Sequence, residues 1–318
     1  MKTSTFFKLF PPPKFLNAPY AGIDISDDAV RCIQFAHVAG EYRVVKYATR
    51  PFPAGLVESG HIMDEAKVTA IVADLVRETG ISFVKASLPE EKVYLFKTPV
   101  PNADSAVITQ NIEFKLEENV PLSAADAIFC FEIIPGALAD GKPVASVLVS
   151  PKKAVETYLD ILTSAGLTVI SFNMEAQALA RSVIETHSTK TEMVVRIMSH
   201  KAGVYIVHQG VVCFSSTVAF GDDAMAIDVI RKEAKKVYDY WKDHGEGAKE
   251  VDHIVLCGVS KIVTGIGGDV IPLPISVEMG NVWKNIFSPD EYIPPISFGD
   301  SLDYAVAAGL AMPTEHFM

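Results

Sequence analysis

A short acidic turn near the start of the chain carries the residue types that could do chemistry. The apolar run from Tyr20 to Ile25 predicts a buried β-strand, and this strand delivers one carboxylate, Asp24, to a turn of small and acidic residues. A second strand leaves the turn with apolar residues at alternate positions. Backbone N–H groups in such a turn can face a phosphate, and the carboxylate can hold a metal-bound water. An altered copy of the pattern lies near residue 193.

Asp24 and Ser26 each allow two interpretations. In the first, Asp24 contacts Mg²⁺ through a water molecule, and Ser26 donates a hydrogen bond to a phosphate oxygen. In the second, Asp24 caps N–H groups of its own turn and Ser26 is a turn residue without a ligand. These residues alone leave both interpretations open.

Composition and charge narrow the class of protein. The 318 residues have room for roughly two domains of ~100–200 residues each. A net charge of −11 argues against a nucleic-acid partner, because no long basic face is expected that could offset the repulsion from phosphates. The cysteines lack CxxC or Cys/His spacing, which argues against zinc. The pattern predicts buried, reduced thiols at Cys32, Cys130, Cys213 and Cys257.

Residues 1–18 are predicted to form a flexible basic and aromatic leader. It contains Phe6, Phe7, Leu9 and Phe10, carries three lysines and no acid, and runs into three consecutive prolines. Its apolar stretch is far shorter than the ~20 residues that cross a bilayer, and no other stretch is long enough, which predicts a cytoplasmic protein. We expect either a loosely packed leader or a segment, residues 1–16, that contacts a membrane or a partner.

Two runs of strands and a helix follow one another in the same order, which indicates an internal duplication. The first run consists of predicted strands at 20–26, 29–36, 42–49 and 82–88 and a predicted helix at 64–78. The second run consists of predicted strands at 193–198, 203–208, 211–218 and 251–256 and a predicted helix that begins at 221. The polar stretch 187–191 separates the runs, so we predict a first lobe over 19–187 and a second lobe over 188–318.

A different unit interrupts the first lobe at about residues 90–150. Its order of strand, helix, strand, strand predicts an α+β module of ~60 residues. The elements are expected at 92–98, 103–119, 127–134 and 143–150. The last two strands are predicted to be joined by a turn over 135–141.

The chain resembles the actin, sugar-kinase and heat-shock-chaperone superfamily. The inserted module narrows this resemblance to the branch with FtsA and PilM, and the specific similarity is to the type IV pilus assembly protein PilM family, over roughly residues 19–313. The matching stretches are Gly22-Ile23-Asp24-Ile25-Ser26, Ile112-Glu113-Phe114 through Val120-Pro121-Leu122, Ser150-Pro151-Lys152-Lys153-Ala154-Val155, Tyr158-Leu159-Asp160 through Ala165-Gly166-Leu167, Glu175-Ala176-Gln177-Ala178-Leu179-Ala180-Arg181, and Ala305-Val306-Ala307-Ala308-Gly309-Leu310.

The resemblance implies an α/β protein with an actin-like, duplicated ribonuclease-H-like fold, in two lobes with an inserted strand-helix-strand-strand module. It implies a protein that binds ATP and Mg²⁺ without a large catalytic task. The family acts at the cytoplasmic face of the inner membrane, where its members bind the cytoplasmic tail of the membrane protein PilN and link it to the pilus motor. For this chain, a PilN-like tail is the implied partner, and membrane contact is indirect or through residues 1–16.

The resemblance also assigns candidate site residues. Gly22, Asp24 and Ser26 belong to the first phosphate hairpin, and Arg196 stands in the second. Glu175 lies in the helix that connects the halves, where related ATPases have a polar residue that orients the attacking water. The remaining candidates, on the second-half helix and in the adenosine loop, are Glu233, Lys236, Gly258 and Ser260. A solvated helix face explains Glu233 equally well.

Departures from the family pattern fall in all three nucleotide loops. Ser26 replaces the usual Gly, the second hairpin reads Arg196-Ile197-Met198 instead of Asp-Ile-Gly, and the adenosine loop has only Gly258 where the family has paired glycines. These departures predict weak or absent ATPase activity and weaker ATP binding. Arg196 either clamps a phosphate in place of the metal or forms an ion pair with Asp24 across an empty cleft. The second alternative would make the site a closed pseudo-site.

Two other functions of the same superfold compete with the adaptor. A small-molecule kinase or ATPase needs an intact second carboxylate, and Arg196 and the inserted module argue against it. An FtsA-like filament protein usually carries a C-terminal amphipathic membrane helix, and the residues after Met312 are too few for one.

Overall fold

The computed structural model describes residues 19–38, 40–221, 223–245, 250–258, 271, 273–288 and 292–313. The strands are β1 (Tyr20–Ile25), β2 (Ala29–Val38), β3 (Glu41–Pro51), β4 (Val57–Glu58), β5 (His61–Ile62), β6 (Phe83–Leu88), β7 (Tyr94–Pro99), β8 (Ala127–Ala139), β9 (Lys142–Pro151), β10 (Thr168–Met174), β11 (Thr191–Ile197), β12 (Lys201–His208), β13 (Val211–Ala219), β14 (His253–Gly258) and β15 (Ser276–Met279). The helices are α1 (Glu65–Thr79), α2 (Ser105–Asn119), α3 (Lys152–Ser164), α4 (Glu175–Val183), α5 (Asp223–His244), α6 (Phe298–Ser301) and α7 (Ala305–Ala311). Among the helices of the described residues, none has the length and apolar character needed to cross a bilayer.

The first sheet has the strand order β10-β6-β1-β2-β3. Its strands β1, β2 and β3 form an antiparallel meander, and β6 and β10 continue the sheet beyond β1 in parallel. Helix α1 buries Val68, Val72 and Leu75 in the apolar core of this sheet. Both ends of α1 are capped, because Asp64 accepts a hydrogen bond from the first turn and Gly80 adopts a left-handed conformation.

The second sheet repeats this arrangement with the order β13-β12-β11-β14-β15. Strands β11, β12 and β13 form the meander, and β14 and β15 extend it in parallel beyond β11. Helix α5 packs against β12 and β13 and buries Ile230, Ala234, Val237 and Trp241. The matching strand orders confirm the predicted internal duplication.

The helices α4 and α7 pack against each other, and α7 also packs against β1. This close packing depends on two glycines that lack a side chain at the contact. A methyl group on Gly309 would overlap the carbonyl oxygen of Ala178 in α4, and one on Gly22 would overlap the carbonyl oxygen of Ala307 in α7. The resulting contact holds the end of β1 beside the start of α4.

The inserted module is an antiparallel sheet of order β7-β9-β8, and α2 buries Ile108, Ile112 and Leu116 against it. The predicted strand-helix-strand-strand order is confirmed, but the predicted turn over 135–141 is wrong. Strand β8 continues to Ala139 through a register shift, and the chain reverses at the positive-φ pair Asp140 and Gly141. The residues Pro135 and Gly136 at this irregularity were interpreted as the end of the strand.

One of the four predicted buried thiols is exposed. Cys32, Cys213 and Cys257 are buried, whereas Cys130 is exposed on β8. The prediction for Cys130 was wrong because β8 lies at the edge of its sheet, so an apolar run there is covered on fewer sides than in a central strand.

Candidate functional site

Both carboxylate oxygens of Asp24, in β1, have partners within the protein. Oδ1 accepts a hydrogen bond from the hydroxyl of Ser87 in β6 at 2.6 Å, and Oδ2 lies 3.2 Å from Nη2 of Arg196. Both members of the ion pair are buried. The Asp24–Arg196 ion pair, one of the two alternatives that the sequence left open, is confirmed.

Arg196, in β11, makes a second ion pair through its other terminal nitrogen. Nη1 contacts Oε1 of Glu175, the first residue of α4, and Glu175 is also buried. One guanidinium therefore neutralises two buried carboxylates, one from β1 and one from α4. The carboxylate of Glu175 faces a cation, which does not suit a general base that must orient a water molecule.

Ser26 directs its hydroxyl at its own turn. Oγ lies 2.6 Å from Oδ1 of Asp28 and 3.0 Å from the carbonyl oxygen of Ala29, and it accepts a hydrogen bond from Arg31 at 3.0 Å. Burial raises the pKa of Asp28, but the neighbouring Arg31 guanidinium and Ser26 hydroxyl outweigh it and hold that pKa at about 2. The hydroxyl of Ser26 is therefore engaged within its own turn, as the interpretation of Ser26 as a turn residue expects, whereas Asp24 contacts Ser87 and Arg196 and does not cap the turn.

Lys201, which the sequence did not single out, joins the two sheets beside this turn. Its Nζ lies 2.9 Å from Oδ2 of Asp27 and 2.5 Å from Oε1 of Glu91. Asp27 also accepts hydrogen bonds from the backbone N–H groups of Ser59 and Gly60. The only sequence signal for Lys201 is its place after the altered second hairpin.

Glu90 is a second residue that the sequence did not reveal. Its side chain is buried, and Oε1 accepts a hydrogen bond from the hydroxyl of Ser215 in β13. Burial raises the pKa of Glu90 from 4.5 to about 7. The folded protein therefore binds a proton at Glu90 more tightly than the unfolded chain does.

We expect Glu90 to make the protein less stable as the pH rises. Its contribution is fully present below pH 4.5 and is lost as the pH passes through about 7. The shift corresponds to on the order of 3 kcal/mol in the free energy of unfolding. Glu90→Gln should remove this loss between pH 4.5 and 8, measured by urea unfolding, whereas Glu118→Gln on the exposed side of α2 should retain it. Parallel pH profiles for wild type and Glu90→Gln would contradict the prediction.

Glu233 and Lys236 pair with each other on α5. Their charged atoms are 3.3 Å apart, and the hydroxyl of Ser216 in β13 donates a 2.5 Å hydrogen bond to Glu233. The side chain of Lys236 is 74% exposed. Within the described part of the chain, no hydrogen bond or ion pair links either residue to Asp24 or Arg196, so the structure does not join these candidates to the buried ion pairs.

Gly258 lies closer to the buried ion pairs, at the end of β14. It pairs with Ile197, the residue after Arg196, and a methyl group on Gly258 would overlap the carbonyl oxygen of Ile197. The packing of β14 against β11 therefore explains why a glycine stands at position 258. Ser260 lies outside the described residues, and Gly22 is held against α7.

The side chains of this site do not fit ATP and Mg²⁺. The carboxylates that meet here are those of Asp24, Asp27, Asp28, Glu91 and Glu175, and the nearby cations are Arg31, Lys92, Arg196 and Lys201. Excess carboxylate repels a triphosphate, and the candidate metal contact, Asp24, already faces a guanidinium. Across the described ranges, no cluster of three or more His, Cys, Asp or Glu side chains could hold a metal ion.

Comparisons with known proteins agree on the fold. A family model described as type IV pilus assembly protein PilM matches residues 22–250. A solved PilM-PilN type IV pilus biogenesis complex is similar at 17% identity and TM-score 0.75, covering 92% of this chain and 98% of that chain. The ethanolamine utilization protein EutJ from Carboxydothermus hydrogenoformans is similar at 14% identity and TM-score 0.53, covering 95% of this chain and 90% of that one. At these identities the structural likenesses show the fold alone.

Proposed function

The chain belongs to the type IV pilus assembly protein PilM family, and from this premise we propose that it is an actin-like adaptor for a PilN-like membrane protein. It binds the cytoplasmic tail of that protein and links it to the pilus motor. It works in the cytoplasm, peripheral to the inner face of the cell membrane. Its parts are the leader (1–18), a first lobe (19–187) that contains the module at about 90–150, and a second lobe (188–318).

The observation that carries this proposal is the free edge of β8. Strand β8 pairs with β9 on one side, and no described strand pairs with its other side. Apolar side chains are exposed along it, including Ile128 and Ile133. An extended peptide can add to such an edge, so that backbone hydrogen bonds supply affinity and side-chain pockets supply specificity.

A pocket with polar lining residues lies beside β8, next to the proposed binding edge. It has a volume of about 360 Å³ and is lined by Glu132 of β8 and by Gln177 and Arg181 of α4. Gln177 donates a hydrogen bond to Glu132 at 3.1 Å, which ties the module to the body of the protein. A tail that lies along β8 would therefore reach both the module and α4.

The tail-binding proposal predicts a local effect of substitutions on β8. A synthetic peptide of the PilN-like cytoplasmic tail should bind the full chain, and Ile128→Lys should weaken binding about tenfold, or ~1.4 kcal/mol, because a charge blocks the edge. Val45→Lys on β3, the edge of the first sheet, is a matched control, since both side chains are 44% exposed. Calorimetric titration measures both variants.

The outcomes of this titration separate two failures. Binding that Val45→Lys weakens and Ile128→Lys does not would move the tail from β8 to another surface. The absence of any peptide binding to the wild-type chain would contradict the adaptor function itself.

The buried ion pairs support a pseudo-site in place of a working nucleotide site. Arg196 occupies the position where the family has a carboxylate, and its two ion pairs, with Asp24 and Glu175, fill the space near the first hairpin with protein groups. A kinase would need both carboxylates free to act on metal and water. We therefore rank kinase or ATPase activity below the adaptor function.

Calorimetry with ATP and Mg²⁺ tests the pseudo-site. We expect the wild-type chain to bind ATP no more tightly than a Kd of ~1 mM, because binding must break buried ion pairs and bring a triphosphate to acidic side chains. Micromolar binding would contradict the pseudo-site. In that event, loss of binding in Arg196→Asp would show that the guanidinium clamps a phosphate.

A further inference from the structure

An aromatic pocket outside the ion-paired site lacks an occupant among the described residues. It has a volume of about 290 Å³, and its lining includes Trp283, Phe287, Tyr292 and Phe298. Trp283 stacks on Phe287 with ring centroids 5.4 Å apart, and Phe287 meets Tyr292 edge to face at 5.0 Å. The pocket wall is therefore a preformed aromatic surface.

Trp283 carries a polar atom that lacks a partner. The residue is only 7% exposed, and its Nε1–H has no hydrogen-bond acceptor in the described part of the chain. A buried N–H group without an acceptor is costly, so this position favours a ligand that offers a carbonyl oxygen.

The rim of the pocket is apolar and open to solvent. Ile293 is 86% exposed and Phe298 is 49% exposed, and both line the pocket. An aromatic groove with an indole donor and an apolar rim has the chemistry that binds polyproline segments, whose backbone offers carbonyl oxygens and no N–H groups.

The chain contains one such segment in its own leader. The sequence Phe10-Pro11-Pro12-Pro13 combines an aromatic residue with three consecutive prolines. These residues lie outside the described part of the chain, so nothing in the structure assigns them a position.

The strand register places the start of β1 beside the pocket wall. Strand β1 begins at Tyr20, and Ala21 pairs with Gln34 of β2. The next residue of β2, Phe35, lies 6.5 Å from the ring of Trp283 and 6.2 Å from that of Phe287. The chain therefore enters β1 beside the pocket wall, and the residues between Pro13 and Tyr20 can span up to ~20 Å at ~3.3 Å per residue.

We propose that residues 10–13 of the leader bind the aromatic pocket of the same chain, with a leader carbonyl accepting the hydrogen bond of Trp283. The prolines stack on the aromatic wall, and Phe10 covers the apolar rim. This contact secures the leader against the protein's own surface and goes beyond the tail-binding function.

Cysteine cross-linking tests this position. In a Cys130→Ser background, which removes the exposed native thiol, Pro13→Cys combined with Ile293→Cys should cross-link within one chain several-fold more than the control pair. The control pair is Pro13→Cys with Met63→Cys. Met63 is also exposed (64%), but it lies close in sequence to Gly60, which bonds to Asp27 in the turn after β1. That turn is at the opposite end of β1 from the leader. Equal yields for the two pairs, or covalent dimers in place of internal links, would overturn the proposal.

Discussion

Arg196→Leu is expected to lower the free energy of unfolding by about 3–5 kcal/mol, since it leaves two buried carboxylates without a counter-charge. Within the described part of the chain, Asp24 then keeps its hydrogen bond from Ser87, and Glu175 loses the cation that it contacts. Urea unfolding at neutral pH measures the change. Because these partners lie on β1, α4 and β11, we also expect weaker cooperation between the two sheets.

Two controls distinguish charge from volume in this experiment. The combined variant Asp24→Asn, Glu175→Gln, Arg196→Leu should regain much of the lost stability, because it buries no charge. Lys235→Leu removes an exposed ion pair with Asp239 and should cost less than about 1 kcal/mol. If Arg196→Leu were as mild as Lys235→Leu, the buried ion pairs would not hold the two sheets together.

Gly309→Ala is expected to cost about 3 kcal/mol, near the upper end for overpacking a core. The added methyl group would overlap the backbone carbonyl of Ala178, and a backbone cannot rotate away as a flexible side chain can. The helices α7 and α4 must then separate, which also shifts Glu175 at the start of α4. Thermal unfolding should show a clear fall in Tm.

Gly221→Ala is the matched control for Gly309→Ala. A methyl group on Gly221 meets no atom within 4 Å, so the change should leave Tm nearly unaltered. Equal Tm values for Gly309→Ala, Gly221→Ala and the wild type would show that α4 and α7 tolerate a wider separation than the packing implies.

Much of the fold could be predicted from the chain because its determinants are local. Alternating apolar residues predict the strands, and helix-spaced residues such as Val68 and Val72 predict α1. The repeated order of these elements predicted the duplication. The edge position of β8 escaped prediction, because an apolar strand such as the one around Cys130 reads the same at an edge as at the centre of a sheet.

Some contacts of the candidate site could also be predicted from the sequence, and others could not. The Asp24–Arg196 ion pair could be predicted as one alternative because each residue lies in one of two related hairpins, and the duplication brings these hairpins together. The links from Lys201 to Glu91 and from Ser215 to Glu90 join residues 110 and 125 positions apart in unrelated elements. No periodicity relates such positions.

The sequence by itself determined most of the elements and their duplicated order, and it places Arg196 in the second of the two related strand runs. Only the tertiary structure decided that Glu175 shares the Arg196 guanidinium, that Glu90 is buried, and that Trp283 lines an aromatic pocket. The physical reason is that backbone propensity and hydrophobic burial act over neighbouring residues, whereas ion pairing and pocket shape depend on how separate elements pack in space.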